Sequence, residues 1–380
     1  MKNVVIAGYA RSPFQPAKRG TLAKVRPDDL VAQVVQGLVA RTGIQVENIE
    51  DLILGCAFPE AEQGFNMARL VVFLAGLPIS VAGTTVNRFC GSSMQALHIA
   101  AGAIQMGAGE LFLCAGVESM SRVPMTGYNP MPNPALYKKQ PGAYMSMGET
   151  AENVANLYKI SRIEQEQFAL ESQQKAARAI KEGRLAEEIV PIRRADAAVD
   201  TDGCPRSDST LEKMAQLNPA FDQNGSVTAA TSAPLTDGAA ATLVCSESYA
   251  QQNGLEPLAR IRSHAVSGCQ PETMGLGPIG ATRKALQRAG IGAKDLSVVE
   301  LNEAFASQSI ASIRDLDLDP ETVNIDGGAI ALGHPLGATG ARITGKAAQL
   351  LQRVGGQYAL ATQCIGGGQG IATVLEAMKS

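Results

Sequence analysis

The chain reads GIQVENIEDLILGCAF at residues 43–58 and GIGAKDLSVVELNEAF at residues 290–305, so that Gly-Ile, a later Ile or Leu, a further Leu and Ala-Phe recur at a constant offset of 247 positions. Farther along, Cys90-Gly-Ser-Ser precedes a helical pattern and an apolar run, and His334-Pro-Leu-Gly does the same 244 positions later. Two such similar offsets indicate one supersecondary unit that is used twice. We expect the matched turns of the two halves to face one shared cleft.

Short apolar runs without polar alternation are typical of strands that are buried on both faces of a sheet. Such runs occur at residues 4–7, 52–54, 111–115, 242–245, 298–301 and 358–362. Helical patterns lie between several of them, at residues 28–41, 93–106, 280–289 and 339–353. Alternating strands and helices predict an α/β layered architecture. Glycine supplies 39 of the 380 residues and aromatic residues only 4%, which favours a core of Ala, Val, Leu and Ile with close backbone contacts.

The segment from about residue 119 to residue 236 has a different character. It begins with Pro- and Met-rich turns, continues with a helical stretch and ends in a polar stretch. Ser161 and Glu164 fit a capping box that opens a helix running to about residue 181. We interpret the segment as an inserted, partly helical subdomain, with an ordinary surface excursion as the alternative. The predicted division is a first half at 1–253, which contains the insertion, and a second half at 254–380.

Charge and cysteine content exclude several classes of protein. A formal net charge of −3 provides no global basic field for nucleic acid or an anionic membrane, so an anionic ligand must be met by a local basic pocket. Seven scattered cysteines without a CxxC pair argue against a disulfide framework and a zinc ribbon, and favour a reducing compartment. With no signal peptide and no apolar stretch of about 20 residues, we expect a cytoplasmic, soluble protein without a membrane span. We predict no metal site.

Two of the repeated turns carry chemically competent side chains. Glycine and two serines follow Cys90 and lead into a helical pattern, which places the thiol near a helix N-terminus and predicts a low-pKa nucleophile. The alternative for Cys90 is a small buried core cysteine. His334 lies between Gly333 and Pro335 in a glycine-rich turn, where a catalytic role is favoured over packing. The other two histidines, which we place on a helix face and at a strand end, are interpreted as packing residues; they are His98 and His264.

Two further motifs follow predicted strands. Consecutive glycines after Cys364 favour backbone N–H groups that serve as oxyanion donors, whereas a nucleotide-binding loop is disfavoured because neither the Rossmann nor the Walker pattern is met. Asn302 stands at the end of a buried strand as a neutral donor and acceptor. Glu303 beside it is either a base or a carboxylate at the start of a helix.

Taken together, the motifs resemble the thiolases in order and spacing over essentially the whole chain. The matching stretches are GVESMS at 116–121, MGETAENVA at 147–155, TDGAAA at 236–241, LNEAFA at 301–306, and the three longer ones VNRFCGSSMQAL at 86–97, GGAIALGHPLGATGAR at 327–342 and CIGGGQG at 364–370. CGSSMQALH at 90–98 with EQGFNMAR at 62–69 is more similar to degradative 3-ketoacyl-CoA thiolases than to acetoacetyl-CoA-forming ones. The resemblance implies a thiolase fold of two similar βαβαβαββ halves, with a layered α/β/α/β/α core and a loop domain inserted in the first half.

The resemblance also implies roles for the catalytic residues. Cys90 would attack the 3-keto carbonyl of a 3-ketoacyl-CoA, and His334 would take its proton. Cys364 would protonate the acetyl-CoA enolate that leaves, and the acyl group on Cys90 would pass to a second CoA. A water held on Asn302 would serve the enolate together with His334. The N–H groups of Cys90 and Gly366 would serve the tetrahedral centre.

For CoA, a co-substrate rather than a permanently bound cofactor, the resemblance implies a separate set of contacts. Arg206 would lie near the adenine and phosphate end, and Met147 and Phe305 would form walls for the pantetheine arm, although core packing explains the last two nearly as well. The stretch 227–238 departs from the family, with Ala230 where glycine is common and Ala-Pro at 233–234 where a hydroxyl-bearing stretch is usual. Ser232 is the candidate for the missing hydrogen bond.

Several alternatives remain beside the degradative thiolase. Ser146 occupies the place of a histidine found in biosynthetic relatives, which disfavours an acetoacetyl-CoA thiolase. A decarboxylating condensing enzyme would not need the second thiol of Cys364. A non-catalytic lipid-binding relative and a zinc-bound structural protein are further alternatives. The resemblance implies a homodimer or homotetramer, and for a degradative enzyme a β-oxidation multienzyme partner.

Overall fold

A computed structural model describes residues 2–378 of the chain. Its strands are β1 (Val4–Arg11), β2 (Gln15–Pro16), β3 (Asp51–Gly55), β4 (Ala82–Val86), β5 (Leu111–Ser119), β6 (Ile192–Arg193), β7 (Ala198–Val199), β8 (Thr236–Ser246), β9 (Ala259–Gly268), β10 (Leu296–Leu301), β11 (Tyr358–Ile365) and β12 (Gln369–Glu376). Its helices are α1 (Pro27–Thr42), α2 (Met67–Leu74), α3 (Ser92–Met106), α4 (Pro134–Lys139), α5 (Met147–Tyr158), α6 (Arg162–Lys181), α7 (Leu211–Ala215), α8 (Glu247–Gln252), α9 (Gly277–Ala289), α10 (Ala306–Asp315), α11 (Ala329–Leu332) and α12 (Leu336–Val354).

The internal repeat and the α/β class predicted from the sequence are confirmed. The first half orders its strands β4-β3-β5-β8-β1, and the second half orders the counterparts of the last four as β10-β11-β12-β9. In place of β4, the second half has only an isolated bridge between Val299 and Val323. Helices α1 and α9 both end directly before the first glycine of the repeated stretch. Gly43 and Gly290 have φ of 63° and 74°, the left-handed conformation that glycine adopts without a steric penalty.

The two halves share one sheet through a short joint. β1 pairs with β9 only at Val5 with Arg260 and Ile6 with Ala259. On its other edge β9 pairs with β12, where Arg260 meets Glu376. Arg260 therefore lies between the first strand of the chain and its last strand.

Apolar residues form three main layers of core. One packs α1 and α2 against the first half of the sheet, and another packs α9 against the second half. Between these lies a central layer in which Met94 of α3 and Ile343 of α12 pack with Ile53 and Val298 from the two halves of the sheet. This gives the five-layered α/β/α/β/α arrangement that the resemblance implies, with α3 and α12 in the middle.

Close contact between α3 and α12 depends on glycine. A Cβ atom added at Gly340 of α12 would lie 2.3 Å from the backbone nitrogen of Met94 in α3. One added at Gly116 of β5, under the same two helices, would lie 2.2 Å from the carbonyl oxygen of Gly337 in α12. The Ser93 hydroxyl accepts a hydrogen bond from Ala341 N at 2.8 Å across the same interface. The helices that follow the two repeated turns are therefore held side by side, which fixes the distance between the turns.

Residues 120–235 lie between β5 and β8 and contain the two-stranded β6–β7 ladder and helices α4 to α7. The capping box predicted at Ser161 and Glu164 is confirmed, and α6 ends at Lys181 as expected. Buried charges attach this segment to the core. Glu188 accepts a hydrogen bond from Arg11 of β1 at 2.7 Å and lies 3.2 Å from the Lys346 ammonium of α12.

Within residues 2–378, no helix is both long and apolar enough to cross a bilayer.

We predict that Gly340→Ala destabilises the protein by about 1–3 kcal/mol, because the added methyl group must push α12 away from Met94. Gly102→Ala is the matched control, since a Cβ at this glycine of α3 meets no atom within 4 Å. The control should leave stability unchanged or raise it by about 0.5–1 kcal/mol. Denaturant unfolding followed by circular dichroism measures both. Equal midpoints for Gly340→Ala and the wild type would contradict the close packing.

Candidate active site

The residues predicted to be catalytic come from three separate elements and meet at one cavity. Cys90 stands two positions before α3, His334 stands two positions before α12, and Cys364 lies near the end of β11. All three side chains line a cavity of about 70 Å³. The other lining residues are mostly apolar and include four methionines; they are Met120, Met125, Met147, Met274, Ala233, Pro234, Leu235, Ala304, Phe305 and Leu336.

The turn that carries Cys90 is strained and tightly held. Phe89 has φ of 44°, a left-handed conformation that costs a residue with a Cβ about 1–2 kcal/mol. The Ser92 hydroxyl donates to the Phe89 carbonyl at 2.6 Å and accepts from Arg88 N at 2.9 Å. The Gln363 side-chain amide donates to the Cys90 carbonyl. Through this last bond, the residue next to Cys364 holds the loop of the other thiol.

The prediction of a low-pKa thiol at Cys90 is contradicted by its surroundings in the fold. Burial raises the pKa of Cys90 to about 12, and the carboxylate of Glu118 adds to the rise. Hydrogen bonds from the N–H groups of Gly366 and of Cys90 itself lower the pKa but do not offset desolvation. Although the residue remains partly exposed, desolvation dominates at its sulfur. The thiol is therefore protonated at rest and needs a base.

His334 can act as that base. Burial lowers the pKa of His334 to about 4, so the imidazole is neutral at physiological pH. Its Nδ1 lies 2.6 Å from the Thr339 hydroxyl and its Nε2 lies 3.4 Å from the side-chain nitrogen of Asn302. Its backbone N–H donates to the Thr236 hydroxyl at 3.0 Å. Three neighbours thus fix the ring and its backbone in one orientation.

Asn302 is placed by the end of β10 and buried beside His334. Its backbone N–H donates to the Thr362 carbonyl at 3.0 Å, and its carbonyl accepts from Gln308. Its side-chain oxygen is buried and has no hydrogen-bond partner among the described residues. An unsatisfied buried oxygen is costly, and it is a suitable partner for a bound water or a ligand donor.

The structure favours a structural role for Glu303 over that of a base, but its carboxylate does not start the helix that follows it: it lies three residues before α10 and accepts from Ile330 N at the start of α11. The residue is 2% exposed, precedes α10 and does not line the catalytic cavity. Its oxygens accept hydrogen bonds from the Ser172 hydroxyl, the Asn324 amide and Ile330 N. Glu303 therefore joins the 120–235 segment to the loop before α12.

The second thiol belongs to a residue that is more deeply buried than Cys90, since Cys364 is 1% exposed. Desolvation raises the pKa of Cys364 well above its usual value, with smaller contributions from Cys90 and Cys269. Gly366 follows two positions later, and its N–H is directed at the Cys90 sulfur. The left-handed conformations in this glycine run are those of Gly367 and Gly368, at φ of 78° and 85°. These two glycines form the turn that joins β11 to β12 directly after Gly366.

A second pocket, of about 210 Å³, adjoins the catalytic cavity. Arg206 and Ser232 line it, as do the side chains of Lys213 and Cys204. Pro234 lines both spaces, so they are neighbours. Ser232 donates its hydroxyl proton to the Thr228 carbonyl at 2.8 Å, which leaves the oxygen free to accept a hydrogen bond. Met147 and Phe305 lie in the catalytic cavity itself.

The remaining histidines lie outside this site. His98 of α3 stacks on His264 of β9 with ring centroids 4.1 Å apart, and its Nε2 lies 2.8 Å from the Thr373 hydroxyl. The sequence analysis placed His264 at a strand end, but it lies in the middle of β9. Burial lowers the pKa of both histidines, which keeps them neutral.

Sequence reasoning missed Thr339, Thr236 and Lys213. Thr339 follows His334 by five positions on the first turn of α12. The first turn of α12 brings residue 339 close to residue 334. A hydroxyl five positions after the histidine is therefore a sequence signal that could have identified this contact. Thr236 opens the matching stretch TDGAAA, but its contact with His334 is tertiary, and no local pattern marks Lys213.

We predict that the rate of Cys90 alkylation by iodoacetamide rises steadily between pH 6 and pH 9. A thiol whose pKa lies near 12 gains about tenfold in thiolate for each pH unit below that value, whereas a low-pKa thiolate gives a plateau. Mass spectrometry would locate the adduct, and Cys90→Ser would report the background from the other cysteines. A plateau near neutral pH would restore the low-pKa prediction.

The whole chain is similar to known proteins. It matches the families described as "Thiolase, N-terminal domain" over residues 4–248 and "Thiolase, C-terminal domain" over residues 255–377. It is 47% identical over 389 residues to a 3-ketoacyl-CoA thiolase of Bacillus subtilis (strain 168), covering 99% of this chain and 100% of the relative. It is 48% identical over 386 residues to a 3-ketoacyl-CoA thiolase of Aliivibrio fischeri, again covering 99% and 100%. With both halves matched and the catalytic turns meeting at one cavity, this chain belongs to the thiolase family.

Proposed function

We propose that the chain cleaves 3-ketoacyl-CoA with CoA to give acetyl-CoA and a shortened acyl-CoA, reversibly as a Claisen condensation, in fatty acid β-oxidation. The observation that carries the proposal is one apolar cavity that holds two thiols and a neutral imidazole. The names of the 47–48% identical relatives support it. A decarboxylating condensing enzyme would not need a second thiol, so Cys364 in the cavity argues against that class of enzyme.

The first step of the proposed reaction forms a bond between the Cys90 sulfur and the 3-keto carbon while His334 takes the thiol proton. Backbone N–H groups of Cys90 and Gly366 donate to the oxyanion, since the same groups already face that sulfur. Breakage of the bond between carbons 2 and 3 then leaves an acyl group on Cys90 and releases the electron pair as the acetyl-CoA enolate.

The second step protonates the enolate carbon from the Cys364 thiol. His334 and a water bound to the Asn302 side-chain oxygen hold the enolate oxygen. The Asn302 oxygen is suited to bind such a water, because it has no hydrogen-bond partner among the described residues. Cys364 has a raised pKa, so it keeps its proton until a strong carbon base is formed. CoA then gives its thiol proton to the Cys364 thiolate and attacks the Cys90 thioester. The Cys90 sulfur leaves, takes back the proton held by His334, and the shortened acyl-CoA is released.

We propose the 210 Å³ pocket as the CoA site. Arg206 supplies positive charge to a pocket on a protein of net charge −3, whereas Lys213 is paired with Asp208 of the same pocket at 2.7 Å. Ser232 offers a hydroxyl oxygen near the entrance to the catalytic cavity. Pro234 and Ala230 line the same pocket at the positions where the sequence departs from the usual pattern. Met147 and Phe305 face the reacting end, where they would contact the pantetheine arm.

The acetoacetyl-CoA thiolase is the less favoured alternative. Ser146 stands where a histidine is found in biosynthetic relatives. Here its hydroxyl caps α5 in a capping box with Glu149, which is a structural role. The relatives reported above are named 3-ketoacyl-CoA thiolases.

We also propose that the chain divides at residues 253 and 254 into two thiolase halves, the first carrying the loop domain at about 119–236. The loop between α8 and β9 and the limits of the matched families support this division. Residues 1 and 379–380 of the proposed halves lie outside the described residues.

A cytoplasmic location is supported by seven free cysteines, which suit a reducing compartment. A β-oxidation multienzyme partner follows from the proposed reaction alone.

The decisive experiment mixes the protein with a 3-ketoacyl-CoA and CoA. Acetyl-CoA should be released, and mass spectrometry should find an acyl group on Cys90. Cys90→Ser should lower turnover by at least about a thousandfold, because the nucleophile is lost. Cys364→Ala should still be acylated at Cys90 by a saturated acyl-CoA but should release no acetyl-CoA from the 3-ketoacyl substrate.

Cys269→Ala is the matched thiol control, since Cys269 does not line the catalytic cavity, and it should retain turnover. Undiminished turnover by a folded Cys90→Ser variant would refute the proposal.

We propose a homodimer, or a homotetramer built from it, that forms along the edge strand β4. Phe65 and Ile79 are 92% and 79% exposed. Asn66, next to Phe65, donates to the Gly83 carbonyl of β4, and Arg69 donates to the Ile79 carbonyl. An unpaired edge with exposed apolar side chains beside it is typical of an association surface.

Sedimentation velocity should give the wild type a mass of two or four times 39.7 kDa. Phe65→Ser with Ile79→Ser should shift it towards the monomer, because the exposed apolar surface is removed. Met131→Ser, at an exposed methionine of the 120–235 segment, is the control and should not. A monomeric wild type would contradict the assignment.

A further inference from the structure

The imidazole of His334 has a hydroxyl where many catalytic histidines have a carboxylate. Thr339 is 2% exposed on the first turn of α12, and its Oγ1 lies 2.6 Å from His334 Nδ1. No other hydrogen bond of the Thr339 side chain is formed within residues 2–378, so this hydroxyl serves the histidine alone. The only cause that shifts the pKa of His334 is burial, without a contribution from any charged neighbour.

The titratable groups on the surrounding elements do not provide a charged partner. Two thiols share its cavity and a third lies behind Gly333. The carboxylates of Glu118 on β5 and Asp237 on β8 accept hydrogen bonds from Gly337 N at 3.0 Å and from Ser121 N at 2.9 Å, and neither contributes to the pKa of His334. The thiols are those of Cys90, Cys364 and Cys204. Thr339 is therefore the residue that determines the state of Nδ1.

A neutral imidazole carries one N–H, and only the other nitrogen can accept a proton. The Asn302 amide nitrogen lies 3.4 Å from Nε2, which favours a lone pair at that nitrogen. With the hydrogen on Nδ1, the Thr339 oxygen accepts it at 2.6 Å. Both neighbours therefore favour the same tautomer.

We propose that Thr339 is the positioning residue that holds His334 with its proton on Nδ1, so that Nε2 accepts the proton of Cys90. The inference rests on the proposed function, in which His334 takes the Cys90 proton at Nε2, directs that proton at the enolate oxygen and finally returns it to Cys90. A carboxylate at Nδ1 would stabilise the imidazolium and keep the base protonated. A hydroxyl orients the ring without adding that charge.

Three variants of one position separate orientation from packing. Thr339→Val keeps the shape and removes the oxygen, so kcat for thiolysis of a 3-ketoacyl-CoA should fall by about 10–100-fold while KM for CoA stays within about twofold. Thr339→Ser keeps the oxygen and should restore kcat to within about threefold of the wild type. Thr339→Asp supplies a carboxylate, so alkylation of Cys90 by iodoacetamide should show a plateau near neutral pH that the wild type lacks.

Nitrogen NMR tests the tautomer in the wild type, where no variant has to fold. The chain has only three histidines, so selective ¹⁵N-histidine labelling gives few signals, and His334→Asn identifies the signals of His334. We expect a protonated Nδ1 and an unprotonated Nε2.

A protonated Nε2, or a folded Thr339→Val variant with unchanged kcat, would overturn the inference while leaving the proposed function intact. An inactive wild type would refute the proposed function instead, and the NMR result would still decide the tautomer.

Discussion

The catalytic geometry depends on the contact between α3 and α12. Cys90 and His334 precede these helices in equivalent positions of the two halves, so the distance between the helix axes sets the distance between nucleophile and base. Gly340 permits that approach, because a Cβ there would overlap the backbone of Met94 in α3, and Gly116 of β5 allows the start of α12 to pack against the sheet in the same way. The third group, Cys364, enters from β11, and the Gln363 amide bound to the Cys90 carbonyl ties it to the same arrangement.

Burial produces the chemical state of the site. It raises the pKa of both thiols and lowers that of the imidazole, so the resting centre contains no charge. Such a centre uses proton transfer at each step rather than a stored thiolate and imidazolium pair. The Thr339 hydroxyl suits this chemistry, because it orients the ring and leaves its basicity low.

Much of the fold could be predicted from the sequence because buried strands and repeated turns leave local signals. The helix predicted at 28–41 spans Pro27–Thr42, and the one at 93–106 spans Ser92–Met106. The state of Cys90 could not be predicted, since a helix N-terminus is a local feature whereas the pKa of this thiol depends on burial, on the charge of Glu118 and on the N–H of Gly366, which distant segments provide. Neither the joint between β1 and β9 nor the contribution of Lys213 to the second pocket has a local signature, because distant segments create both.

Arg260 pairs with Val5 on one edge of β9 and with Glu376 on the other. Neighbouring strands are about 4.8 Å apart, so the first and last strands of the protein come within about 10 Å of each other at this point. A short linker could close the chain there, and new termini could be opened in the loop at Gly254 between the halves. The thiolase halves are thus suited to circular permutation, with the order of their synthesis reversed and the catalytic centre assembled from the same turns.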